Sequence, residues 1–249
     1  MLTMQDSSGF SNCYADAARA DAYARLEFAR DYYLAYRDLP AIFRTHVRGP
    51  NAVDFGCGAG RSTRFLQQHG FTAAGVDISP EMIAKAREID PAGDYRLIPD
   101  GDFRHLPPGA FDLALAAFTF DNIAGEKKVL LLRGLRALLN RGGKLVMIVS
   151  APEIYTHEWA SFSTRDFPEN RQTRSGDVVK IVVLDHQDRR PVEDILWTAE
   201  SYQEVFDHAG LEAVATYKPL AAGNEPYEWV NETRIAPWVI AVLANAAAG

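Results

Sequence analysis

Apolar positions fall into two rhythms along this chain, and their alternation predicts its architecture. Short, nearly continuous apolar runs read as buried strands: Ala52, Val53 and Phe55; Phe111 to Phe118; Lys144 to Ser150; Leu211 to Tyr217; and Trp238 to Leu243. Between them lie segments with apolar residues at helical spacing. Arg61 to His69 is such a helix, ended by Gly70, and Ser79-Pro80 supplies an N-cap and first-turn proline for a helix through about Ile89. Glu126 to Leu139 is a third, ending at Gly142-Gly143, and Thr198 caps a fourth, Ala199 to Ala209, closed by Gly210. Strands alternating with helices predict a mostly parallel sheet covered on both faces.

Two segments break the rhythm. The first runs to about Phe43 and carries Tyr14, Tyr23, Tyr32, Tyr33, Tyr36 and Arg37. The second, Ala151 to Trp197, far exceeds the roughly 2–6 residues of an ordinary strand-to-helix loop. Its second half, Val178 to Leu184 and Val192 to Trp197, alternates like a β-hairpin; its first half holds Tyr155, His157, Glu158, Trp159, Phe162 and Phe167. Long structured insertions of this kind act as lids or binding loops. This one leaves the carboxyl end of its strand, where open α/β sheets place their sites. Substrate choice is expected here.

The chemistry is densest at Asn51 to Arg61, where a strand runs into Gly56-Cys57-Gly58-Ala59-Gly60. These glycines allow a sharp turn and the close approach of a ligand to the backbone. Dinucleotide enzymes use a similar loop, but they set a pyrophosphate at the helix start. Asp54, two residues before the first glycine, would repel it. A ligand bearing an ammonium group there would be attracted instead.

The stretch Val53 to Gly60, VDFGCGAG, resembles the first motif of class I S-adenosylmethionine (SAM)-dependent methyltransferases, of the small-molecule, type 11-like kind. The order continues downstream. Gly75-Val76-Asp77-Ile78-Ser79 resembles the end of the second strand, whose acid holds the ribose hydroxyls. Asp100-Gly101-Asp102-Phe103 resembles the loop whose acid accepts from the adenine amino group. Phe111 to Phe118 resembles the fourth strand, and Leu138 to Leu145 the turn into the fifth. The resemblance covers roughly residues 50 to 150.

It implies a Rossmann-like, doubly wound α/β sheet of seven mostly parallel strands with the last antiparallel. It also implies a single domain over 1–249, with an N-terminal helical cap at 1–45 and a substrate lid inserted at 151–198. SAM would be the cofactor and S-adenosylhomocysteine (SAH) the product. The implied SAM contacts are Asp54, Gly56, Cys57, Gly58, Asp77, Ile78 and Met82, then Asp102, Phe103 and Phe118. From the N-terminal segment Tyr14, Tyr33 and Arg37 join them, Arg37 toward the methionine carboxylate. Phe120, Tyr155, Glu158 and Trp159 are candidate substrate contacts. A sulfonium methyl is already electrophilic, so the protein mainly aligns the acceptor atom and excludes water. Where the acceptor loses a proton, His157 beside Glu158 is the first candidate general base and Asp121 the second.

Other readings stand beside these. Asp77 alone could hold the ribose of a nicotinamide cofactor, making the chain an NAD(P)-dependent oxidoreductase. A SAM-binding protein that does not methylate would share the same loop. Asp102 alone reads as a turn residue, Cys57 as a small loop residue, His157 as a surface histidine, and Asp121 as a helix cap. No Asn- or Asp-Pro-Pro-aromatic motif follows the fourth strand, which disfavours methylation of DNA bases, and no His/Cys cluster has metal-ligand spacing. Composition narrows the rest. With 249 residues, 47% hydrophobic, the chain can build one large core, and its net charge of -7 disfavours nucleic acid or an anionic membrane as partner. Two cysteines make no disulfide framework. With no leader-like or bilayer-length apolar run, a cytoplasmic monomer or homodimer acting on a small molecule is expected.

Overall fold

The computed structural model describes residues 28–185 and 188–246. Tyr14 and Tyr23 lie outside the described residues. Helices α1 (Asp31–Arg37) and α2 (Leu39–His46) lead into strand β1 (Asn51–Phe55) and helix α3 (Arg61–Gln68). Strand β2 (Thr72–Asp77), helix α4 (Pro80–Ile89) and strand β3 (Asp94–Leu97) follow, then β4 (Phe111–Ala117) and helix α5 (Gly125–Leu138). Strand β5 (Leu139–Ser150) is the longest. After it come the short β6 (Phe162–Ser163), β7 (Val178–Val183) and β8 (Val192–Ile195). Helix α6 (Ala199–Ala209) and strands β9 (Leu211–Tyr217) and β10 (Trp238–Asn245) complete the order.

The main sheet has seven strands in the order β3-β2-β1-β4-β5-β10-β9. Its first five are parallel, and β10 runs antiparallel to both β5 and β9. This is the doubly wound Rossmann-like topology expected from the sequence. The strand period of two divides the core. Leu113 and Leu115 of β4 face one cluster, with residues of α1, α2 and α3, while Ala114 and Ala116 face the other, with Leu132 and Leu135 of α5. The order reverses between β1 and β4, so the crevice beyond their carboxyl ends is the topological switch point where such sheets bind ligands.

The predicted caps form. Ser79 Oγ accepts from Met82 N at 3.2 Å, and Thr198 Oγ1 accepts from Ser201 N at 3.3 Å. One boundary moves. Gly142-Gly143, read as the turn between α5 and the fifth strand, lies inside β5, whose extended backbone starts at Leu139. A β-carbon on Gly143 would stand 2.7 Å from the carbonyl oxygen of Phe111. The glycine therefore permits close backbone approach where the β4–β5 register shifts.

The long connection folds as a small sheet ordered β6-β7-β8. The hairpin of β7 and β8 was legible from alternation; β6, with two residues, is too short to show any period. Val179, Ile181 and Val183 of β7 turn inward and join Tyr155, Trp159 and Phe162 in the core cluster that contains α1. The insertion is thus anchored by apolar burial, each such side chain worth at most about 1.5–3 kcal/mol.

Gly143→Ala is expected to lower the thermal midpoint by several degrees. Overpacking against fixed backbone costs about 1–3 kcal/mol, and each kcal/mol is worth roughly 2–4 °C in a chain of this size. An unchanged midpoint would contradict the close approach of β4 and β5 at this glycine.

Candidate active site

The glycine loop is folded back onto the second strand. Gly56 N and Cys57 N both donate to Val76 O, at 2.8 and 3.0 Å. Gly58 N donates to Asp77 Oδ2 and Ser79 N to Asp77 Oδ1, each at 2.8 Å. Asp77 therefore stands at the rim of the loop with its carboxylate oriented by backbone. Gly56, Gly58 and Gly60 all have positive φ, which L side chains rarely adopt. A β-carbon at Gly56 would strike Thr119 and one at Gly60 would strike Tyr95, whereas one at Gly58 would meet nothing within 4 Å. Gly58 thus marks the open side of the cradle.

Beneath the loop Asp54 is fully buried. Ser62 Oγ and Thr63 Oγ1, from the first turn of α3, both donate to its Oδ2 at 2.6 Å. Its Oδ1 is buried without a partner among the described residues. Burial raises the Asp54 carboxyl to about 6, against the lowering effect of the two hydroxyls. An acceptor lacking a donor beside an open glycine cradle fits a ligand that brings an ammonium group. Burial, with Asp54 and Asp77 nearby, pushes the Cys57 thiol well up and leaves it unreactive.

The other residues expected around SAM divide. Ile78 is 50% exposed beside Asp77, an uncovered apolar side chain suited to a flat base. Met82 is buried at the start of α4. Asp102 accepts from Arg104 N at 3.0 Å and pairs with the Arg104 guanidinium, which holds its carboxyl well below the usual range. The Phe103 ring packs on Phe55, 5.6 Å between centroids, and thus toward the α5 side of the sheet. Arg37 is engaged by Asp38, by Leu220 O and by Glu225, and Tyr33 packs on Tyr227. Both therefore anchor the C-terminal segment. The guanidinium that stands against the loop's helix is Arg61, over the rings of Tyr32 at 4.9 Å and Phe28 at 5.4 Å. Its position as the first residue of α3, directly after Gly60, was the signal available in the sequence.

A small pocket, partly open to solvent, lies beyond the carboxyl ends of β4 and β5. Tyr32, Phe118, Phe162 and Trp238 form its aromatic wall, and Ile154, Ile181, Val183 and Val192 an aliphatic one. Asp121, Asn122, Ser150, Tyr155 and Asp194 supply its polar groups. Phe118 has a φ of 60°, a strained conformation for a bulky residue, and its ring lies 4.7 Å from that of Trp238.

Asp121 does not cap α5. It accepts from Ser150 N and Ser150 Oγ, both at 3.1 Å, across the ends of the two strands. Tyr155 OH donates to Asp194 Oδ2 at 3.0 Å. Lys128 is buried behind them, donating to Phe120 O with its ammonium 4.7 Å from the Trp197 ring centre. Burial raises both carboxyls, and their mutual repulsion adds to the shift of Asp194. Burial lowers Lys128 to about 7, although Asp121 and Asp194 resist the change. Asp194 and Lys128 were missed from sequence. Lys128 stands in helical register with the buried Leu131, Leu132 and Leu135, which was a usable signal.

Four expected residues stand elsewhere. His157 lies outside the cavity, its Nδ1 within hydrogen-bond distance of Glu153 O and Thr156 Oγ1. Glu158 accepts from Ser163 Oγ and Thr164 N, and so braces the insertion internally. Trp159 is buried, donating to Ile154 O at 2.9 Å. Phe120 is fully buried against Phe55. Among the described residues no group of three or more His, Cys, Asp or Glu side chains is placed to hold a metal, and no helix is long and apolar enough to cross a membrane.

Known proteins match this arrangement. The family model described as a methyltransferase domain matches residues 53–145. A carboxy-S-adenosyl-L-methionine synthase from Chromohalobacter salexigens is 28% identical over 191 residues, 72% of this chain and 68% of that protein. A ubiquinone biosynthesis O-methyltransferase from Pseudomonas aeruginosa is 25% identical over 196 residues, 77% of this chain and 78% of that one. The solved structure of a SAM-dependent methyltransferase from Mesorhizobium loti shares the fold, with a TM-score of 0.59 at 21% identity over 84% of this chain and 97% of that one. The methyltransferase domain at residues 53–145 and these relatives support a class I SAM-dependent methyltransferase, with SAM as the cofactor.

Behind the cavity, Trp238 is held by its Nε1–H, which donates to Asp31 O at 2.6 Å. The Asp31 carboxyl, fully buried, accepts from Ser161 N at 2.8 Å and faces the buried Glu232, which accepts from Ala160 N and Asn231 N. Burial, then the Glu232 charge, push the Asp31 carboxyl well above its ordinary range. The folded chain thus binds this proton more tightly than the unfolded one. The resulting stability is full below the ordinary carboxylate pKa and is lost as pH rises through the raised value. Asp31→Asn, which needs no proton, is expected to flatten that decline in thermal midpoints taken from about pH 4 to pH 8. Parallel curves for the two proteins would refute the assignment.

Proposed function

We propose that this enzyme transfers the methyl group of SAM to a small molecule seated in the cavity between the ends of β4 and β5 and the β6-β7-β8 sheet. The cavity carries the reading: it combines aromatic walls with buried carboxylates at the switch point where the glycine loop holds the cofactor. In this reading Asp54 Oδ1 receives the methionine ammonium and Asp77 the ribose hydroxyls. Gly58 admits the ligand against the backbone, Ile78 covers one face of the base, and Asp102 receives the adenine amino group. Arg61 replaces Arg37 as partner of the methionine carboxylate.

SAM supplies a methyl carbon made electrophilic by its sulfonium neighbour. The chain's residues do the remaining work. Tyr32, Phe118 and Trp238 line the cavity and pack a flat acceptor. The sheet insertion lines one side of the cavity with Ile181, Val183 and Val192 and so limits the access of bulk water. Asp121, whose pKa burial raises, takes the role of proton acceptor that the sequence had offered first to His157.

One comparison favours a second reading. The Chromohalobacter salexigens relative is named for making carboxy-S-adenosyl-L-methionine, so an enzyme that modifies SAM itself is the alternative. Methyl-labelled SAM separates the two. Incubated with the protein and a small-molecule metabolite extract, it is expected to yield SAH and a labelled acceptor. Loss of SAM without SAH, with label kept on a new sulfonium, would establish the alternative.

Asp77→Ala is expected to weaken SAH binding, read by calorimetry, roughly ten- to a hundredfold, since a hydrogen bond to a charged group contributes about 1.5–3 kcal/mol. Unchanged affinity in the folded variant would remove Asp77 from the ribose site.

A further inference from the structure

The polar side of the cavity is built almost wholly of acceptors. Asp121 and Asp194 bring two carboxylates, and the Asn122 amide oxygen is buried without a partner among the described residues. Of the donors on the same wall, the Asn122 amide N–H2 makes no side-chain bond among the described residues, and the others are committed. Ser150 gives both its N–H and its hydroxyl to Asp121, and Tyr155 gives its hydroxyl to Asp194. One cation, Lys128, lies near both acids, but its ammonium bonds to Phe120 O and rests against Trp197 and Tyr202 behind the cavity.

Among the described residues two acids and an amide oxygen thus share one lysine, and the acid pair stands beside an aromatic wall. An oxygen acceptor fits this surface poorly. A hydroxyl brings one donor for several acceptors. An ammonium group brings two or three donors and a positive charge. It would also lie beside the aromatic rings of Phe118, Phe162 and Trp238.

We propose that the methyl acceptor is an amine, a primary or secondary amino group on a flat or partly apolar small molecule, bound as its ammonium between Asp121 and Asp194. The assignment rests on the methyltransferase reading and narrows it to nitrogen. The ammonium gives one proton to a carboxylate of the pair. The nitrogen lone pair then forms the N–C bond as the C–S bond opens and its electron pair passes to sulfur. The positive charge moves from sulfur to the methylated nitrogen, and the carboxyl proton leaves to solvent when product departs. Asp194 is a binding and positioning residue in this scheme, and the raised affinity of the pair for protons suits it to accept one.

The test uses the full chain saturated with SAH, titrated calorimetrically with arylalkylamines and with the matching alcohols, phenethylamine against 2-phenylethanol among them. The amines are expected to bind about tenfold or more tightly than their alcohols, and Asp194→Asn or Asp121→Asn to abolish that preference. SAH affinity should stay within about twofold in each variant, which shows that it has folded. Alcohols that bind as well as the amines, or a panel in which no amine binds although SAH does, would overturn the nitrogen assignment and leave methyl transfer standing. Failure of the wild-type chain to bind SAH would instead overturn the reading beneath it. The wild-type comparison decides the matter even where a variant does not fold.

Discussion

The site depends on a carboxylate buried where the backbone can least accommodate one. Asp54 lies near the end of β1 under the glycine loop, with no exposure to solvent. Burying an acid there is costly, and the first turn of α3 offsets part of that cost through two short hydroxyl donors, Ser62 and Thr63. Those bonds tie β1 to α3 and fix the path of the chain between them. That path requires positive φ at Gly56, Gly58 and Gly60, and it sets Gly58 N on Asp77 of the neighbouring strand. One buried charge thereby aligns two strand ends, a helix start and the carboxylate expected at the ribose. Its second oxygen remains unanswered by the protein, and that is where the ligand's charge enters the argument.

A second buried polar cluster performs a similar task at the other end of the crevice. Asp121 bridges the ends of β4 and β5, Asp194 reaches in from the inserted sheet, and Lys128 supports both from α5. Such clusters lower stability relative to apolar packing and are retained where they specify something. Here the cluster lines the cavity that the insertion borders. In the proposed reading the glycine loop and its strands make the cofactor half of the site, and the insertion completes an acceptor half begun by Tyr32, Phe118, Asp121 and Trp238.

The sequence disclosed the first half far better than the second. Apolar runs, helix caps and glycines are local signals, so β1, β4, β9, β10 and the cradle could be read directly, and β2 through the resemblance. The acceptor cavity depends on register and on turn direction, which are not local. In β8, Glu193 pairs with Lys180 at the surface, whereas Asp194 sits opposite the buried Val179 and turns inward; only the β7 register distinguishes the two acids. Phe118 and Phe120 look alike in sequence, but the strained backbone at Phe118 separates them. One ring joins Tyr32 and Trp238 in the cavity, and the other packs on Phe55 in the core. His157 reads as a base because Glu158 follows it, yet the turn directs Glu158 to Ser163 and Thr164 and keeps the imidazole on its own loop. Arg37 carries the right charge on the right segment, and Glu225 and Asp38 engage it there.

A crystal structure of the chain with SAH bound would test the account most directly. The account predicts SAH in the glycine cradle, its amino group served by Asp54, its ribose hydroxyls on Asp77, and its sulfur facing the cavity of Tyr32, Phe118 and Asp121. SAH bound elsewhere, or seated in the cradle with its sulfur turned away from that cavity, would contradict it.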